Sequence, residues 1–299
     1  MKLSIIGGGG TLGSTAAFVI AQQNLVEEIC LIDIKENIAK SHEMDMGQAV
    51  AGLSRTKISS GGMDALAGSQ LVMITVGIPE TKVASRVEYL DGNIKIIKDL
   101  SGKIKQLAPD AIIITATNPL DVMNTALLHY TGYPAERLIG FSQNDSFRFR
   151  WAIAKVLHID INTVDAIVLG EHGEEQCPIF SHIKVDGEKV DLSSEQREEV
   201  AQIISDWFTE YQSLNSGRTT GWLSGVNLAN YVRAIVNDTK ERIPCSAIGS
   251  DGISIGQLAS IGKNGIEQIV DLDMDASEAK QFTAAKEKIR NLVNEYINE

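Results

Sequence analysis

The chain predicts an α/β fold, a doubly wound parallel sheet followed by an α+β half, and three observations carry that expectation. Short apolar, β-branched runs alternate with amphipathic stretches through residues 1–141, the rhythm of parallel strands covered by helices on both faces. Four consecutive glycines, Gly7 to Gly10, separate the first strand from the first helix. Beyond residue 141 the rhythm changes to long helices and a closing strand-rich stretch. The expected division is therefore 1–141 and 142–299.

Taken in order, residues 3–6 (LSII) are apolar and bounded by glycine, and residues 29–33 (ICLID) form a second short strand candidate. Residues 71–76 (LVMITV) and 111–115 (AIIIT) follow, with 137–141 (RLIGF) a weaker fifth. Helical periodicity fills the intervals at 12–23, 35–50, 87–107 and 120–130. In the second half a helix is expected at 145–157, apolar segments at 164–169 and 179–185, and long helices at 194–214 and 222–236. Residues 253–270 (ISIGQLASIGKNGIEQIV) read as strands around a Lys-Asn-Gly turn. A last helix begins near Ala276 with Ser277 as its expected cap.

Composition narrows the function classes. A formal charge of −12 argues against nucleic acid or an anionic membrane as the main partner, because both need clustered Lys and Arg. Three cysteines, Cys30, Cys177 and Cys245, are too few and too scattered for a disulfide framework or a CxxC metal site. No apolar run reaches the ~20 residues of a membrane span, and the N-terminal MKLSIIGGGG reads as a strand entering a glycine loop rather than a signal peptide. A cytoplasmic protein is expected.

The glycine loop carries the first chemistry. Gly7, Gly8, Gly10 and Gly13, with Thr11 and Leu12 opening the helix, let the backbone turn tightly and approach a pyrophosphate. The helix N-terminus then offers unpaired N–H groups to the phosphates. Two registers fit, Gly8/Gly10/Gly13 and Gly7/Gly10/Gly13. Asp33, at the end of the second strand and 20 residues after Gly13, stands where a carboxylate binds the ribose diol. The same charge repels a 2′-phosphate. The expectation is a Rossmann-type NAD-binding half, with NAD favoured over NADP.

Four further pieces point to catalysis. Thr117-Asn118-Pro119-Leu120-Asp121 follows a strand, placing Asn118 at the carboxyl edge of the sheet, where ligands bind in such folds. Asp145 and Arg148 lie three apart on one helix face. Gly170-Glu171-His172-Gly173 puts a histidine in a glycine-flanked turn, and Arg86 opens a helix after the loop 77–85. Singly, each has a plain structural explanation, such as a surface histidine or a surface ion pair. In this order behind a nucleotide loop, VGIP…SR, TNPLDVM, DSFRFR, GEHG and IGKNGIEQIV resemble the lactate/malate dehydrogenase family over nearly the whole chain.

The resemblance implies an NAD-dependent L-2-hydroxy-acid dehydrogenase and a role for each residue. His172 exchanges the proton of the substrate oxygen, and Asp145 holds its other ring nitrogen. Arg148 grips the substrate carboxylate, and Arg86, on a mobile loop, polarises the reacting carbonyl. Asn118 contacts substrate or nicotinamide ribose. The family also implies a homodimer or homotetramer and no metal.

The loop before Arg86 departs from the family. Where malate enzymes carry Arg and lactate enzymes Gln, this chain has Glu80, followed by Thr81-Lys82-Val83. A second substrate carboxylate would meet a like charge, at ~4 Å and an effective dielectric near 20 worth up to roughly 4 kcal/mol before screening. Lys82 could substitute as a cation, or Glu80 could face solvent. Thr220 falls where lactate-type enzymes carry Thr, and Asn144 replaces a common Leu. Malate and lactate types stay open at this point. Two other classes were weighed: a non-catalytic NAD-binding protein, and an NAD-dependent glycosidase sharing the fold, which would need a Cys/His metal pair near Asn118 or Asp145.

Overall fold

Strands buried on both faces read as continuous apolar runs, and the first four of them pair side by side. The computed structural model describes residues 1–78, 86–216 and 220–297. Within it β1 (Lys2–Ile6), α1 (Thr11–Gln22), β2 (Glu28–Ile32), α2 (Glu36–Ala49), β3 (Lys57–Gly61), β4 (Leu71–Ile74), α3 (Arg86–Leu107), β5 (Ile112–Thr115), α4 (Leu120–Thr131) and β6 (Leu138–Gly140) alternate along the chain. The strands lie in the order β3-β2-β1-β4-β5-β6, all parallel. Order reverses between β1 and β4. The loops leaving those two strands diverge there, which opens a crevice at their carboxyl ends.

β3 was not expected from the sequence. Its KISSG run lacks an apolar period because it is the edge strand, bonded to β2 alone, with Lys57 exposed and the other four residues half-buried. Asp33 sits one residue past β2 rather than ending it.

In the second half follow α5 (Gln143–Leu157), β7 (Val164–Asp165), β8 (Val168–Gly170), β9 (Gln176–Pro178), β10 (Lys184–Val185), β11 (Glu188–Lys189), α6 (Ser194–Ser213), α7 (Gly221–Val236), β12 (Glu241–Ile248), β13 (Ser254–Gly262), β14 (Gly265–Ile269) and α8 (Ala276–Tyr296). β12 carries no strand signature in the sequence, because it contains Pro244 and both its faces are covered from Ile243 onward, so no alternation marks it. It pairs antiparallel with β13 over eight residues and meets β6 at Ser246–Gly140. Glycine is required at that seam, since a Cβ on Gly140 would lie 2.5 Å from the Ser246 Cβ. One sheet thus runs through both halves.

Helices α1 and α7 pack on one face of the sheet with Ile20, Leu228 and Val232, while α3, α4 and α8 cover the other with Ile97, Leu127 and Ile289. A third cluster around Phe149, Ile153 and Ile183 joins α5 to the small β7, β10, β11 sheet and to α6. The expected cap of α8 is corrected by two residues. Asp275, not Ser277, is the N-cap: its carboxylate accepts the N–H groups of Ser277 and Glu278, and Glu278 returns a bond to the Asp275 N–H. A carboxylate there can accept two first-turn donors at once.

Candidate active site

Each candidate group stands at a strand's carboxyl end or in the first turns of a helix, where backbone polar groups are unpaired and point outward. After β1 the chain turns through Gly7 at φ +92°, a left-handed conformation that favours glycine. The N–H groups of Gly7 and Gly8 donate to the Ile32 carbonyl, tying the loop to the end of β2. A Cβ on Gly13 would lie 2.4 Å from the Gly7 carbonyl oxygen, so α1 can approach the loop only with glycine there. Gly10 caps α1 without any side-chain acceptor, so the first-turn N–H groups at Thr11, Leu12 and Gly13 have no intrahelical partner and could receive an anion. Asp33 is fixed beside them: Oδ2 accepts from Gly9 N at 3.0 Å and Oδ1 from Lys35 N at 2.9 Å. An anion cradle next to an oriented carboxylate fits the pyrophosphate and ribose of a dinucleotide.

The second cluster forms where β8 ends. His172 Nδ1 lies 2.6 Å from Asp145 Oδ2, and Arg148 Nη1 donates to the other oxygen, Oδ1, at 3.1 Å. Asp145 is 4% exposed, so one buried carboxylate holds two groups that the chain places 24 residues apart. With Nδ1–H donating to Asp145, Nε2 is left to exchange a proton. The turn is braced by Lys288 of α8, whose Nζ donates to Glu171 Oε2 at 2.8 Å, and by Glu175 N on the same oxygen.

Electrostatics follow from burial and neighbours. Burial opposes the charged imidazole of His172, but the charge and hydrogen bond of Asp145, with a further contribution from Asp121, outweigh it and hold the ring above its ordinary value. Burial draws Arg148 below the usual arginine value, and Asp145 offsets part of that. Arginine stays charged in either case.

Thr220 is linked toward Asp145 through side chains of α7 and α5, whereas Asn118 is held from α3. Ser224 Oγ donates to the Thr220 carbonyl, and Asn144 Nδ2 donates to Ser224 Oγ at 2.8 Å, which joins α7 to the residue beside Asp145. Asn144 is held at both ends of its amide, its Oδ1 accepting from Asn227 Nδ2 at 3.0 Å. Gly221 and Gly225 press α7 onto α1: their Cβ atoms would meet Thr11 Cγ2 and Thr15 Cγ2 at 2.9 and 2.7 Å. Thr220 is thus set next to the glycine loop. Asn118 is exposed after β5, its carbonyl accepting from Asn93 Nδ2 at 2.9 Å, and its peptide bond to Pro119 is cis. Arg86 begins α3, although its side chain, like Glu80 and Lys82, lies outside the described residues.

Two contacts were not anticipated. The Trp207 ring of α6 lies over the Arg148 guanidinium at 4.9 Å, with Tyr211 stacked on Trp207. Asp121 accepts the backbone N–H of His172 at 2.8 Å. Trp207 lies 59 residues beyond Arg148, so no local pattern links the two. Asp121 was visible only as part of the TNPLD motif. Among the described residues no group of three or more His, Cys, Asp or Glu is placed to hold a metal ion.

The sequence matches the lactate/malate dehydrogenase NAD-binding domain over residues 1–140 and the lactate/malate dehydrogenase alpha/beta C-terminal domain over residues 143–299. A malate dehydrogenase of Haloferax volcanii is 31% identical over 302 residues, spanning 98% of this chain and 99% of that one. The crystal structure of Cryptosporidium parvum malate dehydrogenase superposes with a TM-score of 0.93 at 28% identity, covering 100% of this chain and 99% of that one. The lactate dehydrogenase of the same organism, crystallised with lactic acid and β-nicotinamide adenine dinucleotide, gives 0.92 at 29% identity, covering 100% and 98%. Malate and lactate dehydrogenases both stand among these relatives, so the likenesses bear on the reaction and not on the substrate's side chain.

Proposed function

The chain belongs to the lactate/malate dehydrogenase family and is an NAD-linked oxidoreductase of 2-hydroxy and 2-oxo acids; from that premise we propose how its own residues divide the work and which acid it prefers. Residues 1–141 hold the dinucleotide and residues 142–299 supply the substrate side. Bound NAD gives or takes the hydride. Gly7, Gly8, Gly10, Thr11, Leu12 and Gly13 would hold its pyrophosphate at the α1 N-terminus, and Asp33 would hold the ribose diol. Arg148 presents its planar fork to the substrate carboxylate, with one face covered by Trp207 and one N–H spent on Asp145. His172 Nε2 donates the proton to the carbonyl oxygen in reduction and withdraws it from the hydroxyl in oxidation. Arg86 and Asn118 complete the enclosure around the reacting carbonyl, with Thr220 beside it. The observation that carries this reading is the Arg148–Asp145–His172 chain, which sets a carboxylate clamp and a proton donor on one buried anion.

Asp33→Ser is expected to relax the NAD preference, lowering the NAD/NADP ratio of kcat/KM by about tenfold or more, the equivalent of a like-charge repulsion of about 1.4 kcal/mol or more being removed. An unchanged ratio means that Asp33 does not reach the ribose.

For the side-chain pocket we favour a monocarboxylic 2-oxo acid. Glu80 supports this, because a carboxylate at the discriminating position opposes a second substrate carboxylate. The test is NADH oxidation with a panel of 2-oxo acids. Pyruvate or a bulkier monocarboxylate is expected to exceed oxaloacetate in kcat/KM; oxaloacetate winning by a large factor overturns the preference and means that Lys82 neutralises the site or that Glu80 faces away from it.

A cytoplasmic homo-oligomer is the further part of this reading. All three cysteines are buried and unpaired, as a reducing compartment requires. Trp222 and Val226, one turn apart on α7, are 70% and 46% exposed, an apolar pair that a second subunit could cover. Sedimentation velocity is expected to give a dimer or tetramer; a monomer at micromolar concentration excludes it.

A further inference from the structure

A second carboxylate reaches the His172 turn. Asp121 lies in the first turn of α4, three residues after Asn118, and is 2% exposed. Its Oδ2 accepts the backbone N–H of His172 at 2.8 Å, and its Oδ1 accepts Ser246 Oγ at 2.5 Å. Ser246 in turn bonds Ser254 Oγ at 2.7 Å, and Ser254 Oγ accepts Asn124 Nδ2 at 2.9 Å. A buried polar chain therefore runs from α4 through β12 and β13 to the catalytic turn. Burying a carboxylate is costly, and an amide or hydroxyl would fill the same space on α4. An anion at this position supplies what those groups do not: two strong acceptor oxygens and a negative charge beneath the histidine.

We propose that Asp121 is a positioning residue for His172, anchoring the backbone of the Gly170–Gly173 turn to the sheet so that the imidazole stays seated on Asp145. Its charge acts on the ring as well. Burial disfavours the imidazolium, and Asp145 first, then Asp121, reverse that preference. Asp121 is itself pushed up to about 6 by burial, against the bonds from Ser246 and the His172 N–H. As pH falls through that value Asp121 gains a proton and its support of the imidazolium is withdrawn. The charged groups facing it are His172 and Glu171 from the turn, with Asp145 and Arg148 beyond the imidazole and Lys288 of α8 held on Glu171. β12 and β13 present the hydroxyls of Ser246 and Ser254.

This inference rests on His172 being the proton-exchanging group, and the test keeps the two apart. Each of the five histidines can be followed by NMR of protein carrying 13C at the ring Cε1, with His172→Asn identifying the His172 signal. In Asp121→Asn the His172 titration midpoint is expected to fall by roughly one pH unit, the size of a nearby opposite charge. The limb of the pH–kcat profile for 2-oxo acid reduction should move with it, while NADH affinity stays that of the parent. A folded Asp121→Asn protein with the parental midpoint overturns the proposal. Should that variant fail to fold, Ser246→Ala decides: loss of one donor makes Asp121 easier to protonate, so a smaller fall is expected, and an unchanged midpoint overturns it. A midpoint that falls without moving the kcat limb upholds Asp121 as the positioning residue and removes His172 from the proton transfer.

Discussion

His172→Asn is expected to lower kcat by about 10²–10⁴-fold in both directions, the range that a positioned acid–base group contributes, while the Kd for NADH measured by fluorescence titration stays unchanged. The argument is geometric first. Nδ1 is committed to Asp145 at 2.6 Å, so Nε2 is the exchanging nitrogen, and asparagine preserves a donor toward Asp145 without a titrating group. The sign of the pH dependence follows from the raised value of His172. Reduction needs the imidazolium, so its rate should be full at low pH and fall as pH rises through a value above the ordinary ~6.5. Oxidation needs the neutral ring and runs the other way. The stability linkage has the same sign: the contribution is complete below the unfolded value and lost as pH rises through the folded one. In His172→Asn both dependences should flatten. Parental turnover in the variant would assign the proton transfer elsewhere.

Arg148→Gln is the second large effect. Truncating one partner of a buried, hydrogen-bonded charge pair costs about 2–5 kcal/mol, so kcat/KM for the 2-oxo acid should fall by about thirtyfold to several thousandfold. Most of the loss should appear in KM for the oxo acid, with NADH binding retained. Arg148→Lys should recover only part of it, because an ammonium cannot form a two-pronged bond, cannot lie flat beneath Trp207 and cannot reach Asp145 with the same fork. Equal KM values for parent, Lys and Gln proteins would mean that the substrate carboxylate binds elsewhere.

The parts of the molecule that were legible in the sequence share one property, namely that local spacing encodes them. The parallel strands β1, β2, β4 and β5 are apolar because both faces are covered, and the glycine loop is glycine because a Cβ at Gly13 would strike the Gly7 carbonyl. Asp145 and Arg148 were readable as a pair because three residues along a helix bring side chains together. The family motifs added His172 and its pairing with Asp145.

Edge strand β3 and strand β12 were not legible, since one lacks an apolar period and the other is buried without alternation. Nor were Trp207 over Arg148, Asp121 beneath His172, or the Asn144–Ser224 link toward Thr220, whose partners lie 59, 51 and 80 residues apart. The sequence by itself determined the reaction chemistry and the cofactor, because those depend on residue types at short, fixed spacings. Only the tertiary structure decided how that chemistry is held in place. Its supports are hydrogen bonds and ring contacts between distant segments, and no periodicity within a segment records which distant side chain will meet it.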